Sequence, residues 1–327
     1  MPLPIALVCP APPGSRQGNR VTALRWARIL RRLGHRVRIL GAWTGEDVEL
    51  LVALHARRSA ASVRAFRARH PERPVVVALT GTDLYADLAR SRATRRSLEL
   101  ADRLILLQEA GRRALPVAQR RKARVIHQSV AAPRGRARAR SRRSFDVSVL
   151  AHLRAVKDPL RAALAVRDLP AGSRIRVIHL GRALDARLAA RAHAEMKRNP
   201  RYRWIGERPR PEALRRLARS HGLVLSSRLE GGANAIGEAA ALGVPVLASR
   251  VDGNVGLLGA RHPGLFPFGD TRALRRLLLR MESDPAFRAR LAQASRRVAP
   301  LFRPAREFAA WRSLLRELRG RSTEIRT

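Results

Sequence analysis

The stretch from Val224 to Leu258, VLSSRLEGGANAIGEAAALGVPVLASRVDGNVGLL, constrains this chain more than any other. Val224-Leu225 reads as a short apolar strand, and Ser226-Ser227-Arg228-Leu229 carries the chain out of a sheet. Gly231-Gly232 is expected to form a tight turn with backbone angles that glycine alone adopts freely. Ala235 to Leu242 is rich in Ala and Leu, which predicts a helix. Gly243 stands where a helix C-terminal glycine belongs, Pro245 follows, and Val244–Ala248 reads as the next strand. This is a βαβ unit of a parallel sheet. Its loop lies at the carboxyl edge of the strands, where ligands of open α/β folds bind.

Two glutamates, Glu230 and Glu238, flank the turn with seven residues between them. Alone, such a pair is a weak signal that reads first as solvated helix glutamates. The glycines, strand and helix around it favour a nucleotide-sugar site. Unpaired N–H groups at a helix N-terminus attract phosphate, and a carboxylate one turn into the helix can accept two hydrogen bonds from a ribose diol. The segment resembles the donor-binding motif of family 4 glycosyltransferases. That resemblance implies an α/β chain with the GT-B fold, two Rossmann-like domains with an interdomain cleft. It also implies that Glu230 contacts the sugar and Glu238 the ribose, with Gly231 and Gly232 at the phosphates and Ala233 and Asn234 beside them. The fuller string Glu230-Gly231-Gly232-Ala233-Asn234, followed by Val251-Asp252-Gly253-Asn254-Val255-Gly256-Leu257-Leu258, resembles the branch containing the selenosugar synthase of selenoneine biosynthesis. Asn254 and Gly256 are expected in the same pocket.

Composition sets outer bounds. A chain of 327 residues accommodates two domains of ordinary size. No segment approaches the length of a membrane span, and Ile5-Ala6-Leu7-Val8-Cys9 is better read as a first strand than as a signal peptide. Cys9 is the sole cysteine, so no disulfide forms within the chain and a cytoplasmic location is expected. The net charge of +42 invites a polyanion-binding reading. Against it, only Lys122, Lys157 and Lys197 among 67 basic residues are lysines, which points to a codon bias toward arginine. Aromatic residues make up only 4%, and no basic–aromatic platform for stacking bases is visible. Neither a specific nucleic-acid partner nor stable membrane insertion is expected, and the oligomeric state is left open.

That bias singles out Lys157, which follows the apolar strand Val149-Leu150 and the loop Ala151-His152-Leu153-Arg154-Ala155-Val156. Family 4 enzymes carry Gly-Arg-Leu, then a lysine four residues after the leucine, and both cations neutralise the donor diphosphate. Here Ala151-His152-Leu153 replaces the triplet and Lys157 keeps the lysine position. His152 departs from the pattern, and Arg154 is the candidate for the missing charge. The alternative reading is an exposed basic loop.

The N-terminal half alternates strands and helices. Strands are expected at Ile5–Cys9, Val37–Leu40, Val48–His55, Val75–Leu79, Leu104–Leu107 and Val125–His127. Val21, Leu24, Ala27, Leu30 and Leu33 mark the first helix, which Gly34 closes. The loop before it is either a solvated Pro/Gly connection or an anion site built from the Gly18 and Asn19 amides and the Arg16 or Arg20 guanidinium. Thr80-Gly81-Thr82-Asp83 is a second candidate: Thr80 or Thr82 binds an acceptor oxygen and Asp83 orients a hydroxyl or balances an arginine, or else Asp83 or Thr82 caps the following helix. Gln128-Ser129 is a further cleft candidate.

Residues 133–144 lack apolar periodicity and read as a basic linker. They separate an N-terminal acceptor-binding domain (1–132) from a nucleotide-sugar domain (145–303) with strands at Val147–Leu150, Ile175–Leu180, Tyr202–Ile205, Leu223–Leu225 and Val244–Ala248. In the segment 304–327, Phe308, Trp311, Leu315 and Leu318 form an apolar stripe, which either returns to the first domain or closes the second. The resemblance implies transfer of a hexose or N-acetylhexosamine from a UDP-sugar, UDP-N-acetylglucosamine or UDP-glucose, to selenophosphate, forming a C–Se bond and releasing UDP. A conventional hydroxyl acceptor is the alternative. No Cys/His or Asp-x-Asp metal cluster is visible in the sequence, so no metal or other cofactor is expected.

Overall fold

The computed structural model describes residues 2–131 and 139–324. They form two parallel six-stranded sheets with helices. The first contains β1 (Pro4–Val8), β2 (Arg36–Leu40), β3 (Leu50–Leu54), β4 (Val75–Leu79), β5 (Arg103–Leu106) and β6 (Ala123–Val125), in the spatial order β2-β1-β3-β4-β5-β6. The second contains β7 (Phe145–Leu150), β8 (Ile175–Leu180), β9 (Tyr202–Trp204), β10 (Gly222–Leu225), β11 (Val246–Ser249) and β12 (Leu265–Phe266), in the order β12-β11-β10-β7-β8-β9. The chain therefore reverses direction across the first sheet between β1 and β3, and across the second between β7 and β10. At such a switch point the loops part and leave a crevice at the carboxyl ends of the strands.

The strands β1, β3, β4 and β10 are apolar on both faces, as buried parallel strands must be. Ile5 and Leu7 of β1 join one core with Leu50, Val52, Val76 and Ile105, whereas Ala6 and Val8 join Leu51, Ala53, Val75 and Val77 on the opposite face. In the second sheet Val147, Val177, Val224 and Leu247 share one face, and Leu223, Leu225, Val246 and Ala248 the other.

The chain divides into two compact units, the first made of residues 1–129 and 304–327, the second of residues 130–303. The expected linker is not where the division falls. Val130 donates its backbone N–H to the Phe302 carbonyl and is buried with Leu223, Ile236 and Phe302, so unit 2 starts before the basic segment. Residues 133–138 of that segment lie outside the described residues. The helix Pro304–Glu324 belongs to unit 1, where Trp311, Leu314, Leu315 and Leu318 are buried against Trp26 and Ile29. Glu307, also buried, accepts from Trp26 Nε1 at 2.8 Å and from the Ser129 backbone N–H at 2.8 Å.

The first helix runs from Gly18 to Arg32, and the expected stripe faces the core only in part: Ala27 and Leu30 are buried there and Leu33 packs against it, but Leu24 is not. Leu24 is 45% exposed, and the buried side chains are Thr22, Ala23, Trp26, Ala27, Ile29 and Leu30. A strict three-residue spacing falls behind the 3.6-residue turn and drifts off any one face. No described helix is long and apolar enough to cross a membrane.

Candidate active site

The loops after β7 and β10 meet at the switch point of unit 2. The chain leaves β7, passes His152 and Arg154, and makes a single 3-10 turn over Ala155–Lys157. Asp158 then takes a left-handed conformation, φ 42° and ψ 54°, which is strained for a residue with a Cβ. Ser226 Oγ donates to the Asp158 carbonyl at 2.8 Å, and Arg161 Nε donates to Asp158 Oδ2 at 2.7 Å, fixing that bend from both sides. The Arg228 backbone N–H donates to the Val156 carbonyl at 2.8 Å, which ties the second loop to the first.

The bend delivers Lys157 to Glu230. Lys157 Nζ donates to both carboxylate oxygens, at 2.7 and 2.8 Å, and the Ser227 hydroxyl donates to Glu230 Oε1 at 2.6 Å. Glu230 is 7% exposed and Lys157 retains 28%. A buried carboxylate needs such partners to remain in place. Behind them, Ser249 Oγ donates to the Ser227 carbonyl at 2.6 Å, and Asn254 Nδ2 donates to the Ser249 carbonyl at 3.0 Å and its hydroxyl at 3.2 Å. Asn254 is fully buried in this relay, supporting the loop from behind. Gly256 lies half-buried in the helix Asp252–Leu258.

Glycines set how closely these loops approach. Contrary to expectation, neither Gly231 nor Gly232 has a positive φ; the chain enters the Asn234–Ala241 helix from an extended Ala233. The demanding positions are elsewhere. A Cβ on Gly253 would lie 1.9 Å from the Glu230 carbonyl oxygen, and one on Gly181 would lie 1.8 Å from the Ala151 carbonyl oxygen. Gly237, inside the helix, makes room for the Phe302 ring, which a Cβ would meet at 2.8 Å.

Ala233 occupies the N-cap without any side-chain cap. The N-terminus of that helix therefore presents its polarity beside Gly231 and Gly232, a suitable environment for an anion. Glu238 is 13% exposed and accepts from Arg210 Nε at 3.1 Å. In the neighbouring loop, the Arg182 backbone N–H donates to His152 Nδ1 at 3.0 Å, so a neutral His152 carries its proton on Nε2. Arg154 is half-buried on the same loop.

A second histidine supports that loop from inside. His179 is fully buried on β8; its Nε2 donates to the Ala151 carbonyl at 2.8 Å, so its Nδ1 accepts from the Tyr202 hydroxyl at 2.8 Å. Burial pushes His179 down to about 4 and holds the Tyr202 hydroxyl well above its usual range.

In unit 1, Gly18 and Asn19 open the first helix, Gln17 makes no side-chain cap, Arg16 is exposed and Arg20 is half-buried. Thr82 bonds to His55 Nε2 through its hydroxyl at 3.0 Å. Asp83 neither orients a ligand hydroxyl nor balances an arginine, because it is fully buried and its oxygens are occupied by backbone donors. Oδ1 accepts from the Thr80, Gly81 and Leu84 N–H groups at 2.9, 2.8 and 3.1 Å, and Oδ2 from Ala56 N–H at 2.9 Å. Gln128 and Ser129 are likewise turned inward, toward Thr22 and Glu307.

Sequence reasoning missed Ser227, Ser249, Arg210, Gly181 and Gly253 as parts of the site. Only Gly181 carried a signal, since it directly follows β8, where close backbone approach is common; Gly253 lies in the first turn of the helix Asp252–Leu258.

Residues 137–298 match the family model for glycosyl transferases group 1. Among solved structures, Anabaena HepE in complex with UDP superposes with a TM-score of 0.76 over 97% of this chain and 100% of its own, at 17% identity. The sucrose-phosphate synthase of Thermosynechococcus elongatus gives 0.76 over 97% and 99%, at 16% identity. A glycosyltransferase from Rickettsia africae gives 0.74 over 97% and 98%, at 12% identity. With this fold and this match, the chain is a glycosyltransferase of the GT-B fold that carries a glycosyl transferases group 1 domain in its second unit.

Proposed function

We propose that the protein transfers a hexose or N-acetylhexosamine from a UDP-sugar to selenophosphate. The observation that carries the donor half is the Lys157–Glu230 pair at the switch point, a cation and a carboxylate held together on neighbouring loops. A nucleotide-sugar offers each a better partner. The β-phosphate takes Lys157, and the released Glu230 accepts from the sugar hydroxyls. Glu238 takes the ribose diol in place of Arg210, and the helix start at Ala233–Asn234, with Gly231 and Gly232, faces the diphosphate. Arg154 and the Nε2–H of His152 add donors on the same side. The group 1 match supports a sugar donor, and HepE, itself solved with UDP and with UDP-glucose, supports uridine as its nucleoside.

The chemistry asked of these residues is charge stabilisation. As the anomeric C–O bond breaks, its electron pair leaves on the UDP β-phosphate, where a fixed cation lowers the barrier. A selenophosphate anion supplies the incoming pair from selenium and forms the C–Se bond without giving up a proton. Hydrolysis of the Se–P bond by water then releases phosphate and leaves the selenosugar. Support for this acceptor comes from the strings Glu230–Asn234 and Val251–Leu258. The loop of Arg16, Gly18, Asn19 and Arg20 is the proposed acceptor-binding segment.

The test is UDP release from UDP-N-acetylglucosamine with and without freshly made selenophosphate, with mass detection of the product. Selenophosphate-dependent release together with a selenium-bearing sugar is the expected result. Release independent of selenophosphate would discard the acceptor and leave a hydroxyl acceptor in its place.

A further inference from the structure

His55 is buried, 5% exposed, and follows β3 directly at the switch point of the first sheet. It is one of two non-glycine residues with positive φ among the described residues, at 70°; the other is Asp158, which aims Lys157. Left-handed backbone at a bulky residue is strained and persists only where its surroundings enforce it. Here they do. Asp83, pinned by four backbone N–H groups from Ala56, Thr80, Gly81 and Leu84, joins the end of β3 to the end of β4 and lies 3.9 Å from His55 Nδ1. The ring is thereby held with Nε2 at 3.0 Å from the Thr82 hydroxyl.

The direction of that hydrogen bond follows from the other ring nitrogen. The Arg58 backbone N–H points at His55 Nδ1 from 3.4 Å, which makes Nδ1 the acceptor. Burial outweighs the attraction of Asp83 and keeps the His55 pKa below its ordinary value, so the ring is neutral. A neutral ring that accepts at Nδ1 donates at Nε2. The Thr82 oxygen then receives a proton donor from behind, and its own hydrogen must turn away from the ring.

We infer that His55 is a positioning residue for the acceptor: by donating to Thr82 it turns the Thr82 O–H outward as a hydrogen-bond donor to an acceptor oxyanion at the carboxyl edge of the first sheet. Thr82 is half-buried and touches the ligand; His55 acts through it. The exposed Arg58, whose charge acts on His55, makes the same edge favourable to an anion. The inference rests on the glycosyltransferase reading for its choice of ligand and is tested apart from it.

One isosteric change, one that keeps the hydroxyl and one backbone-compatible change make the test. Thr82→Val removes the hydroxyl, Thr82→Ser restores it, and His55→Asn withdraws the ring while keeping a residue type that accepts positive φ. Steady-state rates are measured with UDP-N-acetylglucosamine and selenophosphate, alongside UDP binding by calorimetry and nitrogen-15 spectra of the ring with added inorganic phosphate. Thr82→Val and His55→Asn should each raise the acceptor KM about tenfold, leave the donor KM and UDP affinity unchanged, and be no worse combined than singly. Thr82→Ser should stay near wild type. The ring should show the Nε2-protonated form, and phosphate should shift it in wild type but not in Thr82→Val. Additive effects, a shift in donor KM instead, or a ring protonated on Nδ1 would overturn the inference. If wild type binds no UDP, the donor reading fails, while the phosphate-dependent shift still decides this one.

Discussion

Gly253 meets Glu230 backbone to backbone, so closely that a Cβ would stand 1.9 Å from the Glu230 carbonyl oxygen. Neither partner can retreat cheaply: Glu230 is held by Lys157 and Ser227, and Gly253 begins a helix whose next residue, Asn254, is locked onto Ser249. Gly253→Ala must therefore push the Glu230 loop off its position. Overpacking of this kind costs about 1–3 kcal/mol. The variant is expected to melt lower and to lose at least tenfold in UDP-sugar affinity by titration calorimetry. Gly172→Ala, which meets nothing within 4 Å, should leave both unchanged.

Removing Lys157 tests the pair from the other side. Lys157→Met leaves a nearly buried carboxylate with Ser227 as its remaining side-chain partner. The partly exposed lysine softens the cost, and about 1–3 kcal/mol is expected in denaturant melts. Adding Glu230→Gln should recover part of that stability while turnover stays depressed by about 100-fold or more. A double variant as unstable as Lys157→Met alone would refute the account of the pair.

Acid should weaken unit 2 through His179. Its folded pKa lies at about 4, below the ordinary value of 6.5, so between those values the unfolded chain binds the proton and the folded one does not. Stability is then complete above pH 6.5 and falls as the pH drops toward 4, by about 3 kcal/mol at the low end for a shift of this size. His262, also buried and held at about 4, acts in the same sense and window. Thermal melts across pH 4 to 7 should show this slope, and His179→Gln should flatten it. Because His179 supports Ala151, amide exchange around His152 should speed up first.

Trp311 anchors the terminal helix to the first. Its ring is fully buried and meets Trp26 edge-on, centroids 5.0 Å apart. Trp311→Ala is expected to cost about 3–5 kcal/mol, read as a lowered transition for unit 1 by scanning calorimetry. UDP binding should persist, since its proposed residues all belong to unit 2. Loss of UDP affinity in a folded variant would contradict that separation.

The alternation of strands and helices was legible because parallel strands buried on both faces are continuous apolar runs. β1 and β4 stand out for that reason, and Gly243, with φ 64°, ends its helix as a C-terminal glycine should. β12 escaped notice because Leu265-Phe266 is too short to form a pattern. Glu230, Glu238 and Lys157 were legible through local context. Their partners were not: Lys157 and Glu230 are 73 residues apart, and nothing in either segment encodes the pairing. For Asp83 a ligand-facing role stood beside a helix-capping one, because a sequence cannot show that the surrounding backbone N–H groups already converge on it. His55 had no motif at all; its distinction is a backbone angle.

Unit 1 is assembled from the beginning and the end of the chain, with all of unit 2 between them. During synthesis, the face of the first helix carrying Trp26 and Ile29 emerges early but has no cover until Trp311 and Leu318 have been made. Unit 2 is continuous and can close as soon as Arg303 clears the ribosome. The half that begins first is thus completed last, and a nascent chain stalled before the terminal helix would display a tryptophan-lined apolar surface for chaperones to recognise.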